Sequence, residues 1–266
     1  MSSASAPIPP FPPKLRELGA GPERLDETQH AALERDGFLL LPGHIAADDL
    51  DQLRIHYDRL MREKYEDAAA ITTGGQNDFW HHETGTRRLT DLLSEAEIFV
   101  RIATDPVFLT VSHLLLRGPI KHDSINAREP LRGQGHQGLH QDGPPVTDGR
   151  AYCVNSAWLL DDFRADNGPT RIIPGSHRWA HGLDGHDCKA DHTLQRLMAA
   201  AAGSVLIFSG SVWHGGTVNQ SGAPRRVVHS SIIRRDHDLG PRAQRLRIRK
   251  ATWDRLSPAA RWLFDV

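Results

Sequence analysis

Three residues of this chain have the types and spacing needed to hold a metal ion. The segment Gly138-Leu139-His140-Gln141-Asp142-Gly143-Pro144 carries a His-x-Asp pair. In an extended strand, side chains two positions apart point to the same face. An imidazole and a carboxylate then converge on one point while Gln141 points away. Such a pair is common by chance and makes only half a site. Trp213-His214-Gly215-Gly216 supplies a third ligand, placed after the apolar run 204–208 and the turn Ser209-Gly210. Two histidines and one carboxylate cover one face of an octahedral ion and leave three adjacent positions for exogenous ligands, an arrangement suited to ferrous iron and O2. Zinc accepts the same donors, so the three residues alone leave the metal open.

A second piece of chemistry lies in Pro224-Arg225-Arg226-Val227-Val228, where Arg225 stands eleven positions after His214. A guanidinium can grip a carboxylate through two parallel N–H bonds. A keto diacid bound to a metal at one end needs such a clamp at the other. In a strand Arg225 and Arg226 face opposite ways, so only one of them points inward.

These residues must be positioned by regular elements. Asp26–Arg35 reads as a short helix capped by Asp26 and ended by Asp36-Gly37. Phe38–Leu41 reads as a buried strand, and Ala46–Tyr65 as an amphipathic helix with Leu50, Leu53, Tyr57, Leu60 and Met61 on one stripe. The polar segment 71–88 reads as a loop or irregular hairpin. Asp105-Pro106 starts a helix running to about Leu116. From Gly118 the pattern changes to short runs bounded by turn residues: 120–127, 138–141, 152–160, 170–173, 204–208 and 225–233. Several short strands with wide, irregular connections predict a double-sheet jelly roll. Thr252–Phe264 reads as helical, with Pro258 as a point of breakage or restart. The predicted architecture is therefore mainly β with helical additions, a double-stranded β-helix with N-terminal helices packed on one sheet. The Pro-rich residues 1–20 are expected to form a flexible tail, and 21–266 a single domain.

The chain has 266 residues and a formal net charge of −1. No overall field favours nucleic acid or an anionic membrane surface. Cys153 and Cys188 form neither a metal motif nor a disulfide framework, and residues 1–13 lack the charged and apolar regions of a secretory leader. No uninterrupted apolar run suggests a spanning helix. The expected setting is cytoplasmic, and the expected partner is a small molecule, with the protein a monomer or homodimer.

The ordered set His140-Gln-Asp142, Trp158, Asp166-Asn167-Gly168-Pro169, Ile173-Pro174-Gly175-Ser176-His177-Arg178, Trp213-His214-Gly and Arg225 resembles the phytanoyl-CoA dioxygenase-like group of Fe(II)/2-oxoglutarate oxygenases. The resemblance covers about residues 30–235. It implies that His140, Asp142 and His214 bind Fe(II), and that Arg225 rather than Arg226 binds the 2-oxoglutarate carboxylate. It further implies that Trp158 lies beside 2-oxoglutarate and that Gln137, three before the first histidine, contributes. Thr170 stands where many members have an aliphatic residue; its hydroxyl either helps to hold the carboxylate or is an ordinary strand group. The Asn-Gly-Pro and Ile-Pro-Gly-Ser-His blocks have a mainly structural role by this analogy, and His177 is read as a loop histidine rather than a ligand.

N-terminal loops in this group often close over the substrate, which makes His81 and His82 candidate substrate residues. Asn126, and His229 and Ser231 on the same strand face as Arg225, are further candidates. The implied activity is oxidation of a small metabolite by O2 and 2-oxoglutarate with release of succinate and CO2. Hydroxylation is the default, and desaturation, cyclisation or epimerisation are open. The alternative is a cupin-like metal-dependent isomerase or hydrolase using the same triad. Arg225 and Trp158 count against it, since such an enzyme needs neither.

Overall fold

A computed structural model describes residues 7–65, 85–143, 150–179, 181–240 and 243–266. The helices α1 (Pro13–Glu17), α2 (Glu27–Asp36) and α3 (Ala47–Tyr65) come first, with strand β1 (Phe38–Leu41) between the last two. Asp26 accepts from the Gln29 backbone N–H while the Gln29 side chain accepts from Asp26 N–H. This reciprocal box starts α2, and Gly37 in the left-handed region ends it. Strand β2 (Thr86–Leu89) and helices α4 (Glu97–Ala103) and α5 (Pro106–Leu116) follow. The β core then comprises β3 (Ile120–Pro130), β4 (Cys153–Leu159), β5 (Thr170–Ile172), β6 (Arg196–Leu197), β7 (Val205–Ser209), β8 (His214–Gly216) and β9 (Val227–Arg234). Helices α6 (Lys250–Arg255) and α7 (Pro258–Phe264) close the chain.

Six strands form one antiparallel sheet in the order β1-β7-β4-β9-β3-β2, and three form a second sheet in the order β6-β5-β8. Strand alternation divides the core in two. Val154 and Trp158 of β4, Val205 and Ile207 of β7, and Val228 and Ile232 of β9 pack with the helices. Ala157 and Leu159, Leu206 and Phe208, and Val227 point the other way, and pack with Phe163 and Ile172 between the two sheets. This is the expected jelly roll with helices on its larger sheet.

The structure departs from the sequence expectations in several places. Residues 13–20 are not a loose tail: Leu15 is fully buried, α1 packs on α7, and the Pro9 carbonyl meets His113 Nε2 at 2.9 Å. The C-terminal helices thus join the N-terminal ones on the same sheet. Part of the polar stretch 71–88 is strand, because Thr86–Leu89 pairs in register with 127–130. Helix α4 was not anticipated. Together with α5 it makes Glu97–Leu116 an apolar stretch of spanning length, but Thr104 and Asp105 divide it and 67% of the apolar window is buried inside the fold. Ser257 caps α7 at the break where Pro258 restarts the helix.

The segment 138–141 does not form a ladder. It meets β8 at one bridge, His140 with His214. Close approach is possible because Gly215 has no side chain: a Cβ there would stand 2.7 Å from the Gln137 carbonyl oxygen and 2.9 Å from that of Gly138. Arg171, fully buried on β5, clamps the same segment from outside, donating to the carbonyls of Gln137 at 3.0 Å, Cys188 at 3.1 Å and Ala190 at 2.8 Å.

Two expectations follow. Gly215→Ala should cost about 1–3 kcal/mol by forcing backbone apart, whereas Gly118→Ala, whose Cβ would meet nothing closer than 3.5 Å, should be nearly neutral in thermal unfolding. Equal effects of the two would contradict the close-approach argument. His122 is packed against Phe264 and Ser230, and burial pushes its imidazole down to about 3. The unfolded chain therefore binds a proton near pH 6.5 that the folded chain refuses. Stability should fall as pH drops below about 6.5, with His122 contributing up to about 1.4 kcal/mol per pH unit. His122→Gln should flatten the slope of urea-unfolding stability between pH 5 and 6; an unchanged slope would refute the assignment.

Candidate metal centre

His140, Asp142 and His214 place one potential ligand atom each within 4.8 Å of one another, the arrangement needed to hold a metal ion. The two segments that carry them are tied by reciprocal backbone bonds, His140 N–H to the His214 carbonyl at 2.9 Å and His214 N–H to the His140 carbonyl at 3.0 Å. Each imidazole is oriented by its own chain. His140 Nδ1 meets the Gly138 carbonyl at 2.8 Å and His214 Nδ1 the Val212 carbonyl at 2.9 Å. With the proton on Nδ1, Nε2 of each ring carries the lone pair that a metal ion would take. His140 Nε2 lies 3.7 Å from Asp142 Oδ1, and His214 Nε2 lies 3.2 Å from Asp142 Oδ2.

The electrostatics suit a cation. Burial alone would raise the Asp142 carboxyl, but His214, His140 and the Asn155 amide bring it down to about 2, so it is ionised at neutral pH. Burial works against charge on His214 as well, yet the Asp142 carboxylate raises it above its ordinary value. A divalent ion placed among the three would take over that stabilisation from the proton.

Arg225 lies on the inner side of the large sheet, 1% exposed, with its guanidinium 4.1 Å above the Phe163 ring. Its Nη2 donates to Thr170 Oγ1 at 3.3 Å. Its Nε and Nη1 have no hydrogen-bond partner among the described residues. A buried cation with unpaired donors is costly. Burial and then the neighbouring Arg128 push its guanidinium well below the usual arginine range. An anion completes these donors, and a carboxylate matches their geometry. Thr170 stands on β5 two residues from Ile172, which pairs with His214, so the clamp and the triad share one end of the barrel. The residue set thus fits both a metal ion and a carboxylate-bearing co-substrate.

Arg226, one position on, faces the helices and pairs with Asp161 at 2.8 Å and Asp58 at 2.7 Å. The strand alternation expected from the sequence therefore separates the two arginines as anticipated. Gln137 donates its backbone N–H to Gly216, and a Cβ at Gly216 would stand 3.1 Å from Gln137 Oε1 and 3.0 Å from Arg128 Nη2, which puts its side chain beside this cluster. Asn126, His229 and Ser231 lie on the inner face by register: Asn126 is opposite His229, and Ser231 is opposite Asn155. Burial, with the fields of Arg225, Arg128 and Arg88, pushes His229 down to about 3, so it is a neutral hydrogen-bonding group. His81 and His82 lie outside the described residues.

Trp158 is a correction. It shares the outer face of β4 with Val154 and Ser156, its Nε1 donates to Ser156 Oγ at 2.9 Å, and its ring lies 5.9 Å from His44. A residue three positions from the inward Asn155 must face the opposite side of the strand. Trp158 therefore packs under the helices and does not reach the Arg225 clamp.

The Asn167 and Ser176 blocks are structural, as expected. The Asn167 side chain accepts from Arg164 N–H and donates to the Asp162 carbonyl, while Ser176 Oγ accepts from Trp213 N–H at 2.9 Å, fixing the residue before His214. His177 is half-buried with its ring against Gly37.

Two inner-face residues escaped the sequence reading. Arg128, 5% exposed and donating to the Gly135 carbonyl, neighbours Arg225. Asn155 donates to Asp142 Oδ2 at 2.6 Å. An inward polar residue in the mostly apolar strand β4 was the signal available for Asn155; β3 is polar along its length and gave none for Arg128.

The chain is similar to several known proteins. The curated "Dioxygenase trt7" of Aspergillus terreus is 27% identical over 215 residues, covering 76% of this chain and 71% of that protein. The ectoine dioxygenase of Halomonas elongata is 26% identical over 248 residues, 80% of this chain and 71% of the relative. The crystal structure of HygX from Streptomyces hygroscopicus with nickel and 2-oxoglutarate bound shares the fold at TM-score 0.62 and 17% identity, covering 80% of this chain and 88% of that one. The phytanoyl-CoA dioxygenase (PhyH) family model matches residues 33–227. The chain belongs to the phytanoyl-CoA dioxygenase family of Fe(II)/2-oxoglutarate-dependent dioxygenases.

Proposed function

We propose that His140, Asp142 and His214 hold the Fe(II) ion, that Arg225 with Thr170 holds the far carboxylate of 2-oxoglutarate, and that the enzyme oxidises a C–H bond of a small metabolite. The observation that carries this reading is the buried Arg225 guanidinium, with two unpaired donors, at the same barrel end as the triad. An isomerase or hydrolase on the same triad has no use for such a clamp.

Bound iron and 2-oxoglutarate supply an O2-driven oxidation that ends in succinate, CO2 and oxidised substrate. The protein's part is placement. Asp142, ionised at neutral pH, and the two imidazoles with Nδ1 held by backbone carbonyls offer three donors on one side. Arg225 orients the keto acid by its distal end. Gln137 and Arg128 stand side by side over Gly216, beside that clamp. Asn126, His229 and Ser231 line the inner sheet beside the triad and offer uncharged hydrogen bonds to a substrate. Hydroxylation is the simplest outcome for a radical formed at an aligned carbon. HygX has been crystallised with hygromycin B bound, which supports a small-molecule substrate here. Both cysteines are free, which suits a reducing cytoplasm.

Anaerobic addition of Fe(II) and 2-oxoglutarate should give a weak visible charge-transfer band, and O2 should then release succinate. Asp142→Ala should abolish the band and turnover. Arg225→Met should weaken 2-oxoglutarate binding by about 100-fold, on the scale of a charged hydrogen-bond pair, with little change in metal affinity. No band with the native chain, or an equal loss of metal on changing Arg225, would sink this assignment.

A further inference from the structure

We infer that Asn155 is a positioning residue that decides which oxygen of Asp142 is left for the metal, and so holds this ligand to one-oxygen binding. The inference rests on the reading of the triad as a metal site and is independent of the 2-oxoglutarate assignment.

Asp142 sits in a turn rather than in a ladder, so its side chain needs another anchor. Three contacts supply one. Asp142 N–H donates to the Gly210 carbonyl at 2.7 Å, Gly210 N–H donates to the Cys153 carbonyl at 2.8 Å, and Asn155 Nδ2 donates to Asp142 Oδ2 at 2.6 Å. The turn carrying the carboxylate is thereby tied, through Gly210, to the strand carrying the amide. Gly210 permits the approach: a Cβ there would stand 2.4 Å from Cys153 Sγ and 3.2 Å from Asp142 Cβ. Asn155 itself is fixed by β4, paired with Phe208 on one side and Ser231 on the other.

With the backbone and Oδ2 both held, rotation of the carboxylate is restricted. Oδ2 is occupied by the short Asn155 N–H bond and lies 3.2 Å from His214 Nε2, whereas Oδ1 takes no amide and faces His140 Nε2 at 3.7 Å, so Oδ1 is the oxygen left as the donor. Coordination counting shows why this matters. Two imidazoles and one carboxylate oxygen occupy three of six positions; a chelating keto acid takes two, and one stays open. A carboxylate binding through both oxygens would fill the last position. The amide thus sets metal affinity and coordination number together, a role outer partners of ligands commonly have.

The test uses the full chain under anaerobic conditions with Co(II) as the probe metal, whose d–d absorption reports coordination number. Asn155→Leu keeps the volume without the donor, and Asn155→Ser serves if that variant does not fold, since its hydroxyl is too short to reach Oδ2. Ser156→Ala, on the opposite face of the same strand, controls for general damage to β4. The Asn155 variants should bind Co(II) about 10–100-fold more weakly and with an altered d–d spectrum, while the Ser156 variant matches the native protein. Native affinity and an unchanged spectrum in an Asn155 variant would overturn the inference, as would a failure of the native chain to bind Co(II). Native Co(II) binding lost with Asn155, but without any 2-oxoglutarate band, would support it while rejecting the proposed co-substrate.

Discussion

The site depends on one backbone contact. His140 and His214 exchange N–H···O=C bonds across a single bridge: His214 is held in the β5–β8 ladder, and His140 joins the sheet through this bridge. The geometry of the candidate metal centre is built on that pairing. It sets the two rings 4.4 Å apart, centroid to centroid. It leaves each Nδ1 to a carbonyl two residues back in its own chain, so both Nε2 atoms face the same point. The contact survives because nothing intrudes on it. Gly215 contributes no side chain where the backbones cross, and the buried Arg171 donates both to the Gln137 carbonyl of the incoming segment and to the Cys188 carbonyl, which also accepts from Leu139 N–H.

The second constraint is charge inside a low-polarity barrel. Asp142 stands at one place and Arg225 at another, each held where a free ion would be strongly disfavoured. Asp142 is compensated within the protein by two imidazoles and an amide. Arg225 has a hydroxyl and an aromatic face, and Arg128 beside it adds repulsion. Its sequence neighbour Arg226 shows the contrast, fully paired with two aspartates on the helix side. Adjacent residues of one type thus serve opposite ends. One ties the sheet to its helices, while the other gives the interior an unsatisfied affinity for an anion.

Strand alternation governs which side chains take part. His229 and Ser231 share a strand face with Arg225 by period-two alternation, and Asn126 stands opposite His229 in the register, so all three lie on the inner face. The same rule excludes Trp158, whose spacing from His140 matched the family pattern but whose place on β4 sends it under the helices. A resemblance in spacing carries over which residue is present; the face it occupies is a property of the strand, and Asn155 rather than Trp158 is the β4 residue that reaches the triad.

The local chemistry was determined by the sequence alone: the His-x-Asp pair, the later His-Gly, the paired arginines and the run of short strands. Those features depend on residue type and near spacing, which local sterics translate directly into turns, strands and faces. The capped helix at Asp26 and the restart at Pro258 were legible for the same reason. Tertiary structure alone decided what meets across long separations. The packing of Pro13–Glu17 against the last helix, the division of Glu97–Leu116, the Arg128 neighbour of Arg225, and the Asn155 amide on Asp142 all arise where distant segments compete for the same buried space. Spacing along a chain carries no record of that competition, because burial and pairing are settled by the whole set of neighbours at once.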